Sequence, residues 1–145
     1  PGTQKQWYEH WKEARMKWHL SLGMGADNYR FHDHEKLAHY ADAASDIEFK
    51  FPFGFKELEG IHSRTDFDLS QHEKHSGKKL QYFDSEIEKS YVPYVIETSI
   101  GLDRMFLTIL SNSNILLSNS CLSIKSLFSS FINTINLNIF YHFIF

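Results

Sequence analysis

Residues 1–110 predict an α/β domain, and three patterns carry that prediction. Trp7, Trp11, Ala14, Trp18 and Leu22 recur at steps of three and four, which is the period of one helical face. Residues 46–51 and 56–61 each alternate polar and apolar side chains, the period of a strand with one buried side. Residues 91–96 read as a strand that runs through a small-residue turn into an apolar helix, a strand–turn–helix unit.

In the first helix, Lys12, Arg15 and Lys17 fall off the apolar stripe, and Gly23 and Gly25 stop it. The aromatic stripe is read as core packing. Residues 29–32 predict a short strand, and residues 35–44 a short helix carrying Leu37, Tyr40, Ala41 and Ala44. In 46–51, Asp46, Glu48 and Lys50 oppose Ile47, Phe49 and Phe51; Pro52 and Gly54 then turn the chain. In 56–61, unbroken alternation sends Glu57 and Glu59 to one face and buries Leu58 and Ile61. Thr65 is the expected N-cap of a helix running to about residue 75 before Gly77, with Asp66 and Asp68 explained by its first turn. Residues 79–83 predict another strand. In the last helix, Ile100, Leu102, Met105 and Phe106 are expected on buried sides.

Charge divides the chain. Of 145 residues, the first 110 hold all but one of the 15 basic groups and all 18 acidic ones; residues 111–145 hold only Lys125. A net charge of −3 excludes a general basic coat for DNA. The single cysteine, Cys121, excludes an internal disulfide framework and a multi-cysteine zinc site. No secretory or transit pattern opens the chain. The last 35 residues are a low-complexity tail, dominated by Ser, Asn and large apolar residues, and are expected to lie outside the domain. Ser129, Ser130, Asn133, Asn136 and Asn138 argue against a membrane span there.

Two features bear on chemistry. Carboxylates at Glu57 and Glu59 repel unless a cation stands beside them, which invites magnesium, an ammonium group or an arginine, although a solvated strand face explains them as simply. The turn before Gly101 brings backbone close to a ligand, the helix N-terminus beyond it favours phosphate, and Arg104 can fork onto phosphate oxygens. His32, Asp33, His34 and Glu35 lack a third spaced ligand and make a weak zinc set. His62, His72 and His75 read as polar surface.

Taken together, Tyr29-Arg30-Phe31-His32, Lys36-Leu37-Ala38-His39-Tyr40, Phe51-Pro52-Phe53-Gly54, Glu57-Leu58-Glu59-Gly60-Ile61, Arg64-Thr65-Asp66-Phe67-Asp68-Leu69 and Glu97-Thr98-Ser99-Ile100-Gly101-Leu102-Asp103-Arg104 resemble the dimeric type of glycyl-tRNA synthetase over residues 1–110. The resemblance implies an α+β fold, the antiparallel sheet flanked by helices of a class II synthetase catalytic domain, here incomplete. It implies ATP-dependent formation of glycyl-adenylate and transfer of glycine to tRNA(Gly), with Mg²⁺, in a cytoplasmic homodimer with no DNA or membrane partner.

By the same resemblance Glu57 and Leu58 contact ATP, with Glu57 a magnesium ligand. Glu97, Thr98, Ser99, Ile100 and Gly101 contact glycine. Gly101, Leu102, Asp103 and Arg104 form a second ATP segment, with Arg104 as the motif 3 arginine; Arg104 and Glu57 are the expected catalytic residues. Glu59 and Glu97 are the candidate partners of the glycine ammonium group, and Ser99 a group that fills the space a side chain would need. The family's motifs 1 and 2 and its anticodon-binding domain are missing, so the expectation is a fragment with little activity alone. A non-catalytic interaction module and a class II ligase for another small amino acid remain alternatives.

Overall fold

The computed structural model describes residues 2–116. Helix α1 spans Gln4–Ser21 and a short 3₁₀ turn Ala26–Asn28 follows; strands β1 (Tyr29–Asp33), β2 (Ala43–Phe51) and β3 (Gly54–Ser63) come next. After helix α2 (Phe67–Ser76) lie the small strands β4 (Tyr82–Asp84) and β5 (Lys89–Tyr91), then β6 (Ile96–Ile100) and helix α3 (Leu102–Leu116). The main sheet has the order β1-β2-β3-β6, every neighbouring pair antiparallel, and β4-β5 form a separate hairpin. This is an α+β arrangement. The expected tail begins inside α3, and its residues 117–145, Cys121 and Lys125 among them, lie outside the described residues. Within the described residues no helix is long and apolar enough to cross a membrane.

The sheet has two unlike faces. Register places Tyr29, Phe49, Phe51, Ile47 and Ile61 on the side covered by α1 and α3, where Tyr8, Leu22, Met24, Met105 and Ile109 complete the core. The other side carries Arg30, His32, Asp46, Glu48, Glu57 and His62, and it is mainly polar, with Phe55 beneath the Arg30 guanidinium. The alternation read in residues 46–51 is therefore found, as is the turn at Pro52 and Gly54, where Gly54 takes a φ of 103°.

Four local expectations are corrected. Helix α1 is turned by one residue: Tyr8 and His19 are buried and Lys12 and Arg15 face inward, while Trp7 is 42% exposed. The reason lies in distant partners: Glu59, buried in the core, is bonded by Arg15 and His19, and Lys12 reaches Asp33 at the edge of the sheet. No helix forms at 35–44, because Ala43 and Ala44 are claimed by the ladder opposite Ser63 and His62. Thr65 is not a cap; it sits at φ 55° with its hydroxyl on the Arg64 carbonyl, and Asp66 precedes the first turn of α2. Finally, the chain at 91–96 divides between β5 and β6, and α3 buries Met105, Thr108 and Ile109 while Leu102 and Phe106 stay exposed. Gly77 ends α2 in the left-handed conformation, as its position suggested.

Candidate active site

The site is built around an extra residue. In the β2–β3 ladder Glu48 stands opposite Glu57 and Ile47 opposite Glu59, so Leu58 is a bulge. A bulged residue shifts the pleat by one and sends the residues on either side of it to opposite faces. Glu57 consequently joins Glu48 on the polar face and Glu59 joins Ile47 in the core. The expectation of two carboxylates on one face is thereby overturned; Leu58 and Ile61 are both buried, as expected.

Glu59 is 1% exposed. Arg15 donates to both its oxygens, Nε to Oε1 at 2.6 Å and Nη2 to Oε2 at 3.1 Å, and His19 Nε2 donates to Oε2 at 2.7 Å. Burial by itself would raise this carboxyl, but the hydrogen bonds and charge of His19 and Arg15 outweigh it and hold the group below the ordinary carboxylate range. Both oxygens of this carboxylate are thus occupied, and it faces away from the polar side of the sheet.

On the polar face lies an open pocket of ≈ 470 Å³ whose walls include His32, His34, Asp46, Glu48, Glu57 and Arg104. Arg104, one turn into α3, donates from Nη1 to the Glu57 main-chain oxygen at 2.6 Å and to its carboxylate Oε2 at 3.1 Å. Both side chains are about half exposed (50% and 52%), so the guanidinium keeps donors free for an incoming anion. The Gly101 amide donates to the Leu58 carbonyl at 3.1 Å, and the Gly101 carbonyl accepts from Met105 at 2.8 Å, which seats the start of α3 against the bulge.

The other predicted residues fall into two sets. Register puts Glu97 opposite His62 and Ser99 opposite Gly60, on the polar face with Glu57; Thr98 and Ile100, opposite Ile61 and Glu59, belong to the helix-covered face. Leu102 and Asp103 stand at the exposed start of α3. Glu97 Oε2 accepts from Arg64 Nη1 at 2.8 Å. Arg64 also forks onto Asp68 and lies over the Tyr40 ring, 4.1 Å from its centroid. The Arg64 bond, with smaller help from its charge, holds the Asp68 carboxyl below its ordinary range. The role of Arg64 escaped the sequence reading; its spacing from Glu97 is 33 residues, and only Asp68 four residues on could have hinted at it.

His34 donates from Nε2 to Asp46 Oδ2 at 2.8 Å, and the rings of His32, His34 and His62 follow one another at 5.9 and 6.1 Å. No group of three or more His, Cys, Asp or Glu side chains among the described residues is disposed to hold a metal ion. Gly60 sits under this row. A Cβ there would meet His62 Cε1 at 2.8 Å and Asp46 Oδ1 at 3.6 Å, so Gly60→Ala forces the imidazole aside. Because the atom in the way is the far end of a side chain, the expected cost is small, at most about 1 kcal/mol, the low end for overpacking, read as a slightly lower urea midpoint with an unchanged slope.

No family model matches the chain. Curated proteins do. It is 55% identical over 114 residues to the glycine–tRNA ligase of Chlorobaculum tepidum, covering 78% of this chain and 24% of that one. Its relatives are glycine–tRNA ligases. That of Geobacillus thermodenitrificans is 50% identical over 109 residues, covering 74% of this chain and 23% of its own, and that of Thermobifida fusca 48% identical over 115, covering 76% and 25%. The chain thus spans about a quarter of the length of the glycine–tRNA ligases it matches, and the resemblance read from its motifs is borne out at that level.

Proposed function

We propose that this chain forms one wall of the ATP and glycine site of a class II glycine–tRNA ligase, the four-stranded sheet being part of that enzyme's antiparallel catalytic sheet. The observation that carries the reading is the convergence of Arg104 and Glu57 at one pocket, on the sheet face that also bears Glu97 and Ser99, in a chain about half identical to such ligases. Residues 1–110 are assigned to that domain and residues 111–145 to an extension of it.

In this reading a glycine carboxylate oxygen attacks the α-phosphorus of ATP, the bond to pyrophosphate breaks, and glycyl-adenylate forms. The tRNA(Gly) 3′-terminal hydroxyl then attacks the activated carbonyl and AMP leaves. Arg104 neutralises charge developing on the phosphate oxygens, a contribution that positioning and electrostatics make without a protein nucleophile. Glu57, in the wall of the pocket, would suit a Mg²⁺ ion held mainly by phosphates and water, which would supply further charge neutralisation. Glu97, fixed by Arg64, is the partner assigned to the glycine ammonium. Glu59 is removed from that role because its carboxylate is already spent on Arg15 and His19. Leu58 contributes through its carbonyl, which seats Gly101. A cytoplasmic homodimer is the assembly this reading assigns to the complete enzyme.

The test is glycine-dependent ATP–pyrophosphate exchange by a complete ligase carrying this segment in place of its own, for instance that of Chlorobaculum tepidum. Activity with glycine supports the assignment; a folded chimera that binds neither ATP nor glycine overturns it. In an active chimera, Ser99→Ala is expected to impair glycine use more than ATP use, since the hydroxyl stands on the polar face opposite Gly60. Unchanged KM and kcat for glycine would remove Ser99 from the site.

A further inference from the structure

The bulge on β3 fastens three consecutive residues to three different partners. Glu57 receives Arg104 on its main-chain oxygen and its carboxylate; Leu58 receives the Gly101 amide on its carbonyl; Glu59 receives Arg15 and His19 on its side chain. The first two attachments hold the start of α3 at the pocket. The third lies behind the sheet, where Glu59 and His19 are buried and Arg15 nearly so, and it uses an arginine of α1 that the apolar pattern of that helix would have left outside. A bulge interrupts the ladder locally, so the residues around it lose some of the pairing that otherwise fixes a strand. Nothing in ordinary core packing requires an ionised acid at this point, since a hydrophobic side chain facing Ile47 would bury more simply.

We propose that Glu59, clamped by Arg15 and His19, is a positioning residue for the pocket: it pins the bulge from behind and thereby sets where Glu57 points and where Gly101 and Arg104 are held. The inference deepens the functional reading, because the groups it positions are those assigned to ATP, but the clamp itself is measurable whatever the pocket binds. Arg15 is kept in place by the Trp18 ring, 4.5 Å from its guanidinium carbon, so the clamp is rigid on the helix side as well.

Native-state amide exchange on this chain tests it. The Gly101 amide, bonded to Leu58 at 3.1 Å, reports the bulge, while the Arg64 and Val95 amides, bonded to Val95 and Thr65 at 2.9 Å, report the far end of β3. In Glu59→Gln, which keeps the shape and removes the charge, Gly101 is expected to exchange roughly tenfold faster with Arg64 and Val95 unchanged, the size of effect typical of coupled neighbours. If the variant loses protection at all three amides, Arg15→Lys is read in the same way, since it keeps the charge but not the fork onto Glu59. Selective loss at Gly101 in whichever variant stays folded supports the anchor. Gly101 protection that stays at the parental level in a folded variant overturns it, as does acceleration spread equally over all three amides in both. Absence of exchange activity in the chimera, by contrast, would bear on the assigned chemistry and leave the anchor standing.

Discussion

Replacing Arg104 by alanine in an active chimera is expected to lower glycine-dependent ATP–pyrophosphate exchange by about 10²–10³-fold, the usual cost of removing one preorganised donor to developing charge. The expectation follows from where the guanidinium stands: it lines the pocket and is tethered by Glu57 through a single nitrogen. Because both partners are half exposed, the pair contributes only about 0–1 kcal/mol to folding. Activity should therefore collapse while the urea midpoint holds. An exchange rate near the parental one, in a variant that unfolds at the parental midpoint, would remove Arg104 from the chemistry.

The reverse pattern is expected one residue beyond the bulge. Glu59→Ala leaves the Arg15 guanidinium and the His19 ring buried without their acceptor, and breaking a buried pair in this way costs about 3–5 kcal/mol. Against a typical total of roughly 5–15 kcal/mol, that is a large fraction of the whole. The effect has a defined pH dependence. The folded carboxyl titrates below its unfolded value, so the stabilisation is complete above the ordinary carboxylate range and is lost as pH falls through the folded value, where the unfolded chain binds the proton more readily. Unfolding free energies of parent and variant should differ most near neutrality and converge on acidification; a gap independent of pH would show that Glu59 acts by shape alone.

Much of this was legible in the sequence, and the failures share a cause. The strand at 46–51, the turn at Pro52 and Gly54 and the stop at Gly77 follow from local patterns and the structure keeps them, whereas the strand expected at 91–96 forms instead at Ile96–Ile100, ahead of the helix that carries Arg104. Period counting failed where polar groups answer to distant partners. Lys12 and Arg15 look like solvent-facing residues of α1 until Asp33 and Glu59, 21 and 44 residues away, are brought beneath them. Strict alternation in residues 56–61 put Glu57 and Glu59 together because no local signal marks Leu58 as supernumerary; the register against β2 decides it. Glu97 was read as a candidate ammonium partner, and the bond from Arg64 that fixes it was hidden because the two lie 33 residues apart in sequence. The motif resemblance could not say which side of the sheet each acid occupies, since that depends on the register of β3 against β2.

The odd residue at Leu58 also makes the hairpin sensitive to parity. Deleting Leu58 would close the bulge into a regular ladder, with Glu57 against Glu48 and Glu59 against Ile47 still on opposite faces, but it would take away the carbonyl that accepts from the Gly101 amide. Side chains along β3 can drift in size or polarity at modest cost, but a residue gained or lost elsewhere in the ladder, away from Leu58, turns the rest of the strand inside out.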